Sequence, residues 1–279
     1  MNTNIIAMIT FLVPVLCFSA DKGIYGIDDR KDVYESNQMQ QKLAKSVAAV
    51  VAMDISPDEQ GYVDLGLRSF KEDYSICDGE KFSDQPILGY CTASLISEDT
   101  MLTAGHCFPS KDSCKEKKFV FDYVMGPDGK WPGKFNLSQI YSCSEIIAQS
   151  NEEIVDYAII KLDRPVKDRV PLAVNRGEKL KKGDFVFVIG SPMGLPLKVA
   201  DNAKVRDVKD QYYMVDSDTF GGNSGSPVFN AMTGRIEGIL TGGGQDLELK
   251  NDGACVGSFI QSQDEGTGEM VFRAQDFFN

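Results

Sequence analysis

Met101-Leu102-Thr103-Ala104-Gly105-His106-Cys107 holds the only histidine of the chain. A short strand-like run enters a small-residue turn, and the imidazole follows at once. Two further stretches answer it: Asp156-Tyr157-Ala158-Ile159-Ile160 and Gly222-Asn223-Ser224-Gly225-Ser226-Pro227. Acyl transfer needs an activated nucleophile, a base and donors for the oxyanion. Taken singly, a lone His, a strand-starting Asp and a Gly-Asn-Ser-Gly loop are ordinary. Together, in the order His, Asp, Ser and with strand-like flanks, they assign roles. Ser224 is the candidate nucleophile, His106 its base, and Asp156 the group that orients the imidazole. Gly222 and Gly225 permit the tight turn that exposes Ser224 Oγ. The N–H groups of Gly222 and Ser224 are the candidate oxyanion donors.

Around these stretches, short apolar runs recur between turn signals, with no internal repeat and no long helical stripe. In the first half the runs are Ser46–Met53, Thr92–Ile96, Met101–Ala104, Phe119–Met125, Ile140–Gln149 and Asp156–Leu162. In the second half they are Phe185–Ile189, Leu197–Val205, Tyr212–Val215, Ser226–Phe229, Ile236–Thr241 and Ala254–Gln261. The pattern predicts an all-β protein of two six-stranded antiparallel β-barrels, which leave few exposed strand edges. The division expected is 21–45 as an N-terminal segment, 46–165 as the first barrel and 166–279 as the second. Two short helices are expected, over Glu35–Ala48 and Glu269–Phe278.

The chain has 279 residues, 42% hydrophobic and 25% charged, so it can build a core. Its net charge of −12 argues against electrostatic binding of nucleic acid or anionic membranes and suits cationic substrates. Ile5 to Ala20 is apolar and uncharged, too short to span a bilayer, and interrupted by Pro14. Residues 1–20 therefore read as a signal peptide with a cut after Ser19 or Ala20. The mature protein is expected to be secreted or periplasmic, monomeric, and free of the membrane. Six cysteines remain once Cys17 has left, an even number that suggests disulfides. Cys91 and Cys107 flank the strand-turn-strand that delivers His106 and are expected to pair. Cys77, Cys114, Cys143 and Cys255 allow three pairings; Cys114 with Cys143, leaving Cys77 with Cys255, is preferred because the first two bracket one loop region. One histidine excludes a multi-histidine zinc site, no CxxC spacing occurs, and no metal or cofactor is expected. The acidic loop from Gln245 to Asp252 lacks the ligand spacing of a calcium loop.

Gly221-Gly222-Asn223-Ser224-Gly225-Ser226-Pro227-Val228-Phe229-Asn230, with Tyr25-Gly26-Ile27-Asp28-Asp29-Arg30, resembles the chymotrypsin-like serine peptidases, most closely their bacterial glutamyl endopeptidase branch. The resemblance runs from about Ile24 to Ile260 and implies a catalytic cleft between the two barrels. In animal members an Asp stands where this chain has Asn223, and it pairs with a freed N-terminal ammonium. Asn223 carries no charge for that pair, so the animal-type activation switch is expected to be absent. Trimming at Lys22-Gly23 would suffice to place Ile24 near a mature N-terminus.

The same resemblance bears on specificity. Glutamyl preference in that branch depends on a histidine where this chain has Leu240, although Thr219 matches a pocket threonine. Asp218 stands six residues before Ser224, the offset that holds the pocket-floor Asp in trypsin-like members. Thr241, Gly243 and Gly257 match the pocket walls by motif counting. A buried carboxylate at Asp218 would favour Arg or Lys and repel Glu. The expected function is a serine endopeptidase acting on proteins or peptides after Arg or Lys. The alternatives are glutamyl-type specificity, or a latent or non-catalytic binding protein on the same scaffold.

Overall fold

The computed structural model describes residues 23–277. The expected signal segment 1–20, and Lys22 of the expected trimming site, lie outside the described residues. Six strands close the first barrel: β1 (Val47–Ala52), β2 (Cys91–Ser97), β3 (Thr100–Thr103), β4 (Lys117–Phe121), β5 (Ile140–Asn151) and β6 (Asp156–Leu162). Six more form the second: β7 (Phe185–Gly190), β8 (Lys198–Val208), β9 (Tyr212–Val215), β10 (Pro227–Asn230), β11 (Ile236–Gly242) and β12 (Glu269–Arg273). The first ring runs β1-β2-β3-β6-β5-β4. The second repeats it as β7-β8-β9-β12-β11-β10, closed by the β7–β8 pairing. All these pairings are antiparallel.

Apolar side chains facing inward fill each barrel. Leu95, Met101, Phe119, Phe121 and Ile160 pack the first; Val186, Val188, Val215, Leu240 and Val271 pack the second. The barrels also share an apolar seam. Val47 of β1 packs with Phe187, Ile189 and Phe229, and Leu102 and Ile159 pack with Ile239 and Phe272. That seam explains why β1 reads as a nearly continuous apolar run: both of its faces are covered.

Eleven of the twelve expected strands meet a barrel strand within a few residues. The twelfth does not. Ala254–Gln261 yields two short strands outside the barrel, Cys255–Ser258 and Ile260–Gln261, the first in a hairpin with Leu247–Lys250. The place in the ring is taken by β12, where a helix over Glu269–Phe278 was expected. Among the described residues a 3-10 turn, Ala274–Asp276, follows it, with no longer helix. The other expected helix shortens to Gln38–Ala44, capped by Asn37, whose side chain accepts the Gln40 N–H.

The N-terminal segment is strapped onto the second barrel. Ile24–Tyr25 pairs in parallel with Ile260–Gln261, and Lys31–Asp32 pairs with Lys198–Val199 at the start of β8. Lys198 is fully buried and donates to Asp32 Oδ1 at 2.7 Å and to Gln85 Oε1 at 2.6 Å. Burial pulls its ammonium down to about 8 against the pull of Asp32. Among the described residues, no helix is long and apolar enough to cross a membrane.

Candidate active site

β3 ends at Thr103, and a 3-10 turn over Gly105–Cys107 carries His106 off the barrel rim. Gly105 is required there: a Cβ would meet the Ser150 carbonyl oxygen at 1.8 Å and Asp156 Oδ1 at 2.9 Å. Asp156 opens β6 and is buried. Its Oδ1 accepts the backbone N–H of His106 at 2.9 Å, and its Oδ2 lies 2.6 Å from His106 Nδ1. With Nδ1 facing the carboxylate, Nε2 is left as the basic nitrogen. The imidazole is 39% exposed, open to an incoming substrate.

Ser224 lies on a turn, 221–226, in which four of the six backbone N–H groups are engaged. Gly221 N–H donates to Asp246 Oδ2 at 2.6 Å, and Asn223 N–H to the Phe220 carbonyl at 3.1 Å. Gly225 N–H donates to Leu240 and Ser226 N–H to Asn223, at 2.7 and 2.8 Å. The N–H groups of Gly222 and Ser224 have no partner among the described residues. Gly222 and Gly225 both sit at positive φ, +90° and +82°, which side chains rarely adopt. Asn223 is buried and satisfied by neutral groups: its Nδ2 donates to Phe220, and its Oδ1 accepts from Ser226 Oγ.

The turn docks on the barrel that carries His106. Thr92 N–H donates to the Ser224 carbonyl at 2.9 Å. A disulfide joins the neighbouring Cys91 to Cys107, beside His106. The other two link Cys114 with Cys143 and Cys77 with Cys255. Cys91, His106 and Cys107 place ligand-type atoms within 4.8 Å of one another, but both sulfurs are spent in the disulfide. No thiolate is left there for a metal.

The residues expected to form the specificity pocket lie on three different segments of the chain. Asp218 is buried, yet its carboxylate serves the N-terminal strap. Oδ1 accepts the Tyr25 N–H at 2.8 Å and Oδ2 the Asp29 N–H at 3.0 Å. Burial, only partly offset by those two donors, pushes its carboxyl up to about 7. Thr219 is buried, and its hydroxyl has no partner among the described residues. Thr241 Oγ1 donates to the Met270 carbonyl across to β12, and Gly243 follows the end of β11. Gly257 is not in the strand beside Thr241. It lies in the outer hairpin, where a Cβ would meet Glu80 Oε1 at 2.6 Å. The strand beside Thr241 is β12, which starts at the fully buried Glu269. The pattern Glu269-Met270-Val271-Phe272-Arg273 hides that strand, because its charged ends are buried too.

Residues 91–239, just over half of the chain, match the family model of the trypsin-like peptidase domain. The "Probable periplasmic serine endoprotease DegP-like" of Brucella suis is 32% identical over 93 residues, which are 31% of this chain and 18% of that protein. The "Serine protease HTRA1B" of Danio rerio is 34% identical over 101 residues, 32% of this chain and 21% of that protein. The chain thus spans about a fifth of the length of the curated relatives it matches. A solved structure of a Glu endopeptidase, 16% identical, superposes with a TM-score of 0.53 over 91% of this chain and 95% of the other. That likeness is one of fold.

Proposed function

The chain belongs to the trypsin-like peptidase domain family, and from that premise we propose that it is an exported serine endopeptidase working through an acyl-enzyme. Ser224 Oγ attacks the scissile carbonyl carbon while His106 Nε2 takes its proton. Asp156 holds His106 by its backbone N–H and by ring Nδ1, and balances the imidazolium charge. The carbonyl oxygen, becoming an oxyanion, is met by Gly222 and Ser224 N–H. His106 then returns the proton to the leaving amine, and water repeats the sequence in reverse to release the acid. The observation that carries the reading is the nucleophile turn itself. Its other N–H donors are engaged by the protein, and the two needed for an oxyanion are left over.

We read residues 1–20 as a signal, 21–45 as the strap, and 46–165 and 166–279 as the two barrels of a monomer. For the residue before the scissile bond, the reading is Arg or Lys. One carboxylate, that of Asp246, holds the Gly221 N–H of the turn that carries Ser224, and a cationic side chain is the kind that gains from it. Leu240, in the place of a glutamyl-recognising histidine, is buried in the second-barrel core and offers Glu nothing polar. The test is to incubate the mature protein, beside Ser224→Ala, with a denatured protein mixture and to sequence the products. Cuts after Arg or Lys, absent in the variant, are expected. Ser224-dependent cuts after Glu overturn the specificity alone, and no Ser224-dependent cuts overturn the activity.

A further inference from the structure

Gly222 supplies one oxyanion donor, yet a glycine at φ +90° does little to fix its own peptide planes. The structure holds them from both sides. The Gly221 carbonyl accepts the N–H of Met193 at 2.5 Å, so the Gly222 N–H, on the opposite edge of that trans peptide, faces the other way. On the far side of Gly222 Cα, its carbonyl accepts the hydroxyl of Thr92 at 2.9 Å. Thr92 is fully buried and reaches across from the first barrel.

That hydroxyl is itself fixed, because Thr92 Oγ1 accepts the Ser191 N–H at 3.0 Å. Its one proton is therefore committed to Gly222. The Thr92 backbone is held as well: its N–H donates to the Ser224 carbonyl at 2.9 Å, and its carbonyl accepts Thr103 Oγ1 at 2.7 Å. Thr103 ends the strand that leads to His106, and Cys91, before Thr92, is bonded to Cys107. One residue thus ties the nucleophile turn to the base.

We propose that the Thr92 hydroxyl is a positioning group for the oxyanion donors, aiming Gly222 N–H through its carbonyl. The proposal rests on the reading of Ser224 and His106 given above. It is tested with wild type, Ser224→Ala, Thr92→Val, which removes the hydroxyl at nearly constant shape, and Thr92→Ser, which keeps it. In Thr92→Val, kcat on a peptide substrate should fall about 10- to 100-fold, less than or up to the loss of a whole donor. KM should stay within about twofold, since the ground-state carbonyl depends little on that donor. Affinity for a peptidyl aldehyde should fall in parallel with kcat, and Thr92→Ser should restore both. Wild-type kcat in Thr92→Val, or an equal loss in Thr92→Ser, overturns the proposal while leaving the nucleophile in place. Absence of Ser224-dependent turnover in wild type overturns the parent reading and the proposal with it. Should Thr92→Val fail to fold by circular dichroism, Thr92→Ala takes its place in the same comparison.

Discussion

Asp156 grips His106 at two points, its Oδ1 on the backbone N–H at 2.9 Å and its Oδ2 against Nδ1 at 2.6 Å. The carboxylate therefore fixes both where the residue sits and which ring nitrogen is left basic. Asp156→Asn would replace one of these acceptors by an amide donor. If the amide faces the ring, the imidazole turns to the wrong tautomer. The expected result is a loss of about 10⁴ in kcat, the loss familiar for this type of triad, with little change in KM. Steady-state kinetics on one peptide substrate checks it.

Gly225 packs more tightly than any side chain allows. A Cβ would meet Thr103 Oγ1 at 2.2 Å and the Thr92 carbonyl oxygen at 2.3 Å, at a φ of +82°. Gly225→Ala should therefore push the nucleophile turn off the first barrel. It is expected to cost about 2–4 kcal/mol of stability and to abolish activity. Urea unfolding followed by tryptophan fluorescence measures the first and peptide hydrolysis the second.

Asp218 gives stability a pH dependence of known sign. Its carboxyl titrates at about 7 in the folded protein, mainly through burial, against about 3.9 when unfolded. Between those values the folded state binds the extra proton. The contribution is thus fully present below about pH 4 and is lost as pH rises to 7, by a few kcal/mol in order of magnitude. Asp218→Asn cannot titrate. Wild type should lose more stability between pH 5 and pH 8 than the variant does, measured by urea unfolding; equal losses would remove the assignment.

The three disulfides close loops of very different length, with separations of 16, 29 and 178 residues. Closure entropy makes the longest the most stabilising, about 5 kcal/mol in the chain model. Cys77–Cys255 also pins the outer hairpin, and the Cys77 N–H donates to the Val256 carbonyl at 2.9 Å. Replacing both by Ser should lower the melting temperature more than replacing Cys114 and Cys143. Limited proteolysis should then open the hairpin around residues 247–258 first.

What the sequence made legible was local. Tyr212–Val215 alternates and pairs as expected, and the turns around His106 and Ser224 carry their chemistry in consecutive residues. What it concealed was decided at long range. Asp218 looked like a pocket floor by its offset from Ser224, but its partners, Tyr25 and Asp29, lie at the other end of the chain. Gly257 looked like a wall, but its strand pairs in the outer hairpin, next to the cystine at Cys255 and to Glu80. β12 was missed because burial of Glu269 and Arg273 removes the polar alternation that marks a half-exposed strand. Thr92 gave no signal at all, since its partners, Gly222 and Ser191, are a whole barrel away in sequence.

Covalent labelling tests most directly whether Ser224 is activated by His106. A fluorophosphonate reacts only with a serine that is activated by its base and backed by an oxyanion hole. The mature protein should take up one equivalent, on Ser224 by peptide mass spectrometry, and His106→Ala should take up almost none. A wild-type protein left unlabelled, or labelled on another residue, would mean that Ser224 is not an activated nucleophile.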